Sequence, residues 1–137
     1  MSGRSLVFDS WAVIAWLCDE PAASRVQELL ERAERGEISI FMSLINAGEV
    51  FYITAKKHSL AKAQKVIQTL LGSPINFLLP TEEEIWRAAE IKARYPLSYA
   101  DAFAVALSLL REAALVTGDP EIKHLEGKES LSLVWLR

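Results

Sequence analysis

Short apolar runs alternate along this chain with longer segments whose apolar positions recur every three to four residues, which is the pattern of an α/β protein. "SLVF" (5–8), "ISIFM" (38–42), "INFLL" (75–79), "ALVT" (114–117) and "LSLVWL" (131–136) predict five strands. Between them, helical spacing predicts helices over about 10–19, 23–35, 44–57 and 60–71, another after Thr81, one over 99–112, and a short one after Asp119-Pro120. The punctuation agrees. Glu20-Pro21 and Tyr95-Pro96 break helices, Gly36 and Gly72 end them, Ser43 can cap one, and Thr81 with Glu84 forms a capping box.

Strands separated by helices cannot pair as hairpins, so the sheet is expected to be mainly parallel with helices on both faces. The expectation is one domain over residues 1–137, a three-layer α/β/α sandwich around a central five-stranded sheet. A chain of 137 residues, 51% hydrophobic and 24% charged, is large enough for one such core and too small for two. Its mean hydropathy of +0.17 is high for a small domain and points to apolar surface kept for a partner.

The lone Cys18 can form no disulfide within the chain, which favours a reducing compartment. The apolar run before Asp9 is too short for a signal peptide, and no run approaches the roughly 18 residues needed to span a bilayer. A cytoplasmic protein without a membrane partner is therefore expected. The net charge of -3 argues against a broadly basic nucleic-acid-binding surface, but not against an enzyme that holds nucleic acid at an acidic metal site.

In an open parallel sheet, ligands bind beyond the carboxyl ends of the strands, near the point where strand order reverses. The residues that follow the predicted strands are notable for their acids. Asp9 follows the first strand, Glu49 lies in the helix after the second, Asp119 follows the fourth, and Asp101 opens the helix that leads into the fourth. Three of the four Asp residues of the chain stand at predicted helix starts, where each also has an ordinary explanation. Asp9 and Asp119 suit N-caps, the latter with Pro at the first helical position, and Ser98 with Asp101 fits a capping box. Glu49 lies too deep in "SLINAGEVFYITAK" to serve the first turn, and no Lys or Arg stands three or four residues away. Its ordinary alternative is a solvated outer face. Taken together, four carboxylates at one end of a sheet repel one another. Helix N-termini offset part of that repulsion and a hard divalent cation, Mg²⁺ or Mn²⁺, offsets most of it. Such a site suits phosphate or phosphodiester chemistry.

At these residues the chain resembles the PIN-domain family, in particular the VapC-like toxins of bacterial and archaeal toxin–antitoxin pairs. "LVFDSWAVIAWLCDEP" resembles the family's first motif, "SLINAGEV" its second, "LSYADAFAVALS" its third and "ALVTGDPEI" its fourth. The resemblance implies an acidic site of Asp9, Glu49, Asp101 and Asp119, supported by the hydroxyls of Ser10 and Thr117. Ser10 stands where Thr is common, and Glu121 where a further Asp often occurs, which leaves its role open. It also implies a Mg²⁺- or Mn²⁺-dependent endoribonuclease that leaves a 5′-phosphate and a 3′-hydroxyl, works as a homodimer, and is silenced by a cognate VapB-like antitoxin. The rival expectation is a catalytically idle PIN-like module that binds RNA or protein and keeps its acids only as caps.

Lys56 and Lys57, at the end of the Glu49 helix, are candidate RNA contacts, with His58, Lys62 and Lys65 nearby. His58 and His124 read as surface histidines, and Trp11, Trp16 and Trp86, at helical spacing, read as core.

Overall fold

The computed structural model describes residues 4–137. Five strands, β1 (Ser5–Phe8), β2 (Ser39–Ser43), β3 (Ile75–Leu78), β4 (Ala114–Thr117) and β5 (Leu133–Trp135), form one sheet in the order β3-β2-β1-β4-β5. Every pairing is parallel. Around it run α1 (Ser10–Leu17), α2 (Ala23–Glu34), α3 (Leu44–Lys57), α4 (Leu60–Leu71), α5 (Glu82–Arg94), α6 (Tyr99–Leu110) and the single turn α7 (Pro120–Lys123).

The alternation of side chains along β1 divides the core between two faces. Leu6 and Phe8 join Val13, Val26, Ile40, Met42 and Leu70 beneath α1 to α4, whereas Val7 joins Ile91, Leu107, Leu115 and Ile122 beneath α5, α6 and α7. Burying each of these aliphatic side chains contributes roughly 1.5–3 kcal/mol. Helix α6 is buried along eight consecutive residues, Asp101 to Ser108, and is the most enclosed helix of the fold. Among the described residues, no helix is long and apolar enough to cross a membrane.

Helices α1 and α6 end early and β5 begins late, each for a local reason. Helix α1 stops at Leu17 because Asp19 turns into the left-handed region at φ 52, and α6 stops at Leu110 because Glu112 does the same. Strand β5 begins at Leu133, since Leu131 is tied into the preceding turn by bonds to Lys128 and Gly127. Trp86 is a correction of another kind. It lies near the start of α5 and is 63% exposed instead of buried.

Candidate active site

The chain leaves β1 toward β2 and β3 on one side of the sheet, then returns to place β4 and β5 on the other. Strand order therefore reverses between β1 and β4. In open parallel sheets, ligands bind at such a point, beyond the carboxyl ends of the two strands. Asp9 follows β1, and Thr117-Gly118-Asp119 ends β4, so the acids after both strands meet at this point.

Asp9 is fully buried and caps α1. Its Oδ1 accepts from the backbone N–H of Ala12 at 2.9 Å, and its Oδ2 accepts from the Thr117 hydroxyl across the switch point. Thr117 in turn accepts from the Asp119 backbone N–H at 3.0 Å, which ties the two strand ends together. Asp119 caps α7, its Oδ1 accepting from the Glu121 N–H at 2.9 Å. Asp101 stands in the first turn of α6, 5% exposed, and its N–H donates to the cap Ser98 at 3.1 Å. The capping roles expected of Asp9 and Asp119 and the Ser98 cap of α6 are thus all present.

Capping does not account for what the carboxylates face. Oxygens of Asp101, Asp119 and Glu121 lie within 4.8 Å of one another. Glu121, whose role the sequence left open, belongs to this group because α7 is one turn long and is capped by Asp119 two residues earlier. Glu49 approaches from α3, half-buried, where its Oε1 accepts from the Ser10 hydroxyl and its Oε2 from the Tyr52 hydroxyl at 3.4 Å. One turn earlier on the same helix, the buried Asn46 donates from Nδ2 to the Ala100 carbonyl at 2.9 Å. That bond joins α3 to the residue before Asp101. The Asn46 Oδ1 is buried with no hydrogen-bond partner among the described residues. Asn46, Tyr52 and Glu121 are additions to the acids and hydroxyls expected from the sequence.

Electrostatics separate this cluster from ordinary surface acids. Burial pushes the Asp9 carboxyl up to about 8, although the Thr117 and Ala12 hydrogen bonds oppose it and Asp101 and Asp119 add to it. Burial, followed by repulsion from Asp119 and Glu49, pushes Asp101 up to about 7, partly offset by the Ser98 hydroxyl. Among the described residues, no ion pair involves Asp9, Glu49, Asp101, Asp119 or Glu121. A set of carboxylates without His, Cys or a basic partner, beside an orphaned amide oxygen, fits a hard divalent cation such as Mg²⁺ or Mn²⁺.

The other predicted residues lie apart. Lys56 and Lys57 are exposed at the end of α3, Lys56 about 10 Å along the helix axis from Glu49. His58 and His124 are exposed, as expected.

An α/β protein with an acidic centre at the switch point of a parallel sheet is the class that this geometry defines. The chain belongs to the PIN domain family, whose model matches residues 6–128. Its fold is similar to that of VapBC2 from Rickettsia felis, solved bound to a DNA fragment from their promoter, with a TM-score of 0.75 at 16% identity over 98% of this chain and 100% of that one. It is similar to VapBC-1 from nontypeable Haemophilus influenzae, with a TM-score of 0.71 at 19% identity over 97% and 98% of the two chains. It is also similar to Mycobacterium tuberculosis VapC20, a Sarcin-Ricin loop cleaving toxin, with a TM-score of 0.70 at 13% identity over 87% and 93%. No curated protein sequence matches the chain significantly.

Proposed function

We propose that the protein is a Mg²⁺- or Mn²⁺-dependent endoribonuclease, the toxin of a type II toxin–antitoxin pair. The observation that carries this reading is the group Asp101, Asp119 and Glu121, with Asp9 and Glu49 beside it, gathered at the switch point with no ion pair to any of them among the described residues. Family membership and the VapC20 likeness support RNA as the substrate.

Asp101, Asp119 and Glu121 would hold the cation, with Asp9 and Glu49 completing its surroundings. When bound, it supplies a Lewis acid that lowers the pKa of the attacking water and stabilises charge on the phosphoryl oxygens. Thr117 and the Ala12 N–H fix the Asp9 carboxylate, so its approach does not depend on side-chain rotation. Ser10 holds one oxygen of Glu49, leaving the other, within reach of Tyr52, to orient a water. Water adds to phosphorus, the bond from phosphorus to the 3′-oxygen breaks, and that oxygen takes up a proton. The products are a 5′-phosphate and a 3′-hydroxyl. The buried length of α6 is a rigid platform that keeps Asp101 still.

The cognate antitoxin is read as a VapB-like protein, since the VapBC likenesses are to toxin–antitoxin assemblies. A homodimer is supported by exposed apolar side chains at one end of the sheet. Leu44 and Leu79 each follow a residue of the paired Ser43 and Leu78, and Ile85 and Trp86 lie near the start of α5.

The test is cleavage of RNA by the purified protein. Activity is expected with Mn²⁺ or Mg²⁺, none in EDTA, and almost none in Asp101→Asn. Cleavage that survives both EDTA and Asp101→Asn would sink the proposal.

A further inference from the structure

Beside the acidic centre, on the β5 side, lies a cavity of about 450 Å³ lined by Trp11, Glu20, Pro21, Arg25, Leu136 and Arg137. Two contacts tie its wall to the strand end that carries Thr117 and Asp119. The Leu136 N–H donates to the Thr117 carbonyl at 3.0 Å, and the Arg137 Nε donates to the Gly118 carbonyl at 2.7 Å. The Arg137 guanidinium also lies over the Trp11 indole, 5.1 Å from the ring centroid. Trp11 itself presses on the β4 loop so closely that a Cβ at Gly118 would meet the ring at 2.3 Å. Gly118 separates Thr117 from Asp119, and Trp11 follows Asp9 and Ser10. The indole and the guanidinium thus pack against each other and against Gly118, the residue between Thr117 and Asp119.

We propose that this cavity is a subsite for single-stranded RNA, in which a base next to the cleaved phosphodiester stacks on Trp11 and Arg137 while Arg25 faces the flanking phosphate. The inference rests on the ribonuclease reading above. Three arguments select this occupant. Unpaired bases stack on aromatic rings and guanidinium planes whatever their identity, and Trp11 and Arg137 supply both surfaces. A polyanion drawn toward five carboxylates needs positive charge beside them, and the cavity carries two guanidiniums against the single carboxylate of Glu20. Arg25 is already turned toward β5, donating to the Trp135 carbonyl at 2.7 Å, and it also borders a second cleft that contains Arg4 and Arg32. A strand leaving the stacked base therefore meets Arg32 on α2 and Arg4 before β1, with Glu28 in the same cleft. Lys56 and Lys57 carry point charges and no stacking plane of their own, and stand two helical turns from Glu49.

The test measures both binding and cleavage of a fluorescein-labelled twelve-residue oligouridine by full-length protein. Trp11→Ala and Arg137→Glu should each raise the half-saturating RNA concentration about tenfold, with the rate at saturation changed much less. Trp11→Phe, which keeps a stacking ring, should stay within about threefold of wild type. Arg25→Ala should reduce the slope of log affinity against log salt by about 0.7, the value for one phosphate contact on a single strand. If Trp11→Ala and Arg137→Glu bind as wild type while the protein still cuts RNA, the subsite is wrong and the ribonuclease reading stands. If Trp11→Phe loses as much as Trp11→Ala, with a matching fall in melting temperature, the ring serves only packing and the proposal fails. If wild type neither binds nor cuts RNA, subsite and ribonuclease reading fall together.

Discussion

The fold treats Glu129 and the acids of the switch point in opposite ways. Glu129, in the turn before β5, accepts from the Tyr95 hydroxyl at 2.9 Å and from Arg94 at 2.8 Å, with Arg87 at 3.6 Å. The Tyr95 hydroxyl and then Arg94 hold its carboxyl below the usual range. At the switch point, Asp9 and Asp101 are more deeply buried, face other carboxylates, and are raised instead. The first arrangement joins α5 to the β5 turn. The second weakens the empty fold, and such an arrangement persists where function requires the strain.

The contrast can be broken most sharply by exchanging carboxylate for amide on each side. Asp101→Asn should lower RNA cleavage by at least about a hundredfold, since even residues outside the coordination shell cost ten- to hundredfold when lost. Glu129→Gln should leave the rate unchanged. A comparable loss in both variants would mean that stability, not the site, limits activity.

Stability against pH should carry opposite signs in the two regions. A folded-state pKa above the unfolded value means that the folded chain binds more protons. The contributions of Asp9 and Asp101 are therefore complete below about pH 3.8 and are lost as pH rises through about 7 and 8. Glu129 is lowered from 4.5, so its contribution is present above that pH and is lost as pH falls through its depressed value. Melting without metal should thus show lower stability at pH 8.5 than at pH 5.5, and Asp9→Asn or Asp101→Asn should flatten that slope while Glu129→Gln does not.

Saturating Mn²⁺, at about a hundred times its dissociation constant, should stabilise wild type by about 2.7 kcal/mol in thermal melts. Asp101→Asn should lose most of that gain. The smallest expected effect belongs to Glu129→Gln, a fall in melting temperature of about 2–4 °C, because its guanidinium partners are largely solvated. A larger fall would show that this region bears more of the fold than its exposure implies.

Most of the architecture was legible because its signals are local. The apolar runs of β1 and β4, the caps Ser43, Thr81 and Ser98, and the breaks at Pro21 and Pro96 all act within a few residues of themselves. The early ends of α1 and α6 were not legible, since left-handed Asp19 and Glu112 carry no Gly or Asn signal. In the candidate site, Asp9, Glu49, Asp101 and Asp119 stood out by their places after strands. Their connections did not. The Thr117–Asp9 and Ser10–Glu49 bonds span 108 and 39 residues, and the Asn46–Ala100 bond spans 54. Arg137 beside Trp11 is more distant still, and nothing local to either residue forecasts the meeting. Trp86 misled in the other direction, because helical spacing marks a side of a helix without saying what covers it.

The central claim is that the acids at the switch point are unneutralised in order to hold a divalent cation. Calorimetric titration of metal-free protein with Mn²⁺ tests it most directly. The account predicts saturable binding in wild type and in Glu129→Gln, weakened at least about tenfold in Asp101→Asn. Equal binding in wild type and Asp101→Asn, or no saturable binding in wild type, would contradict it.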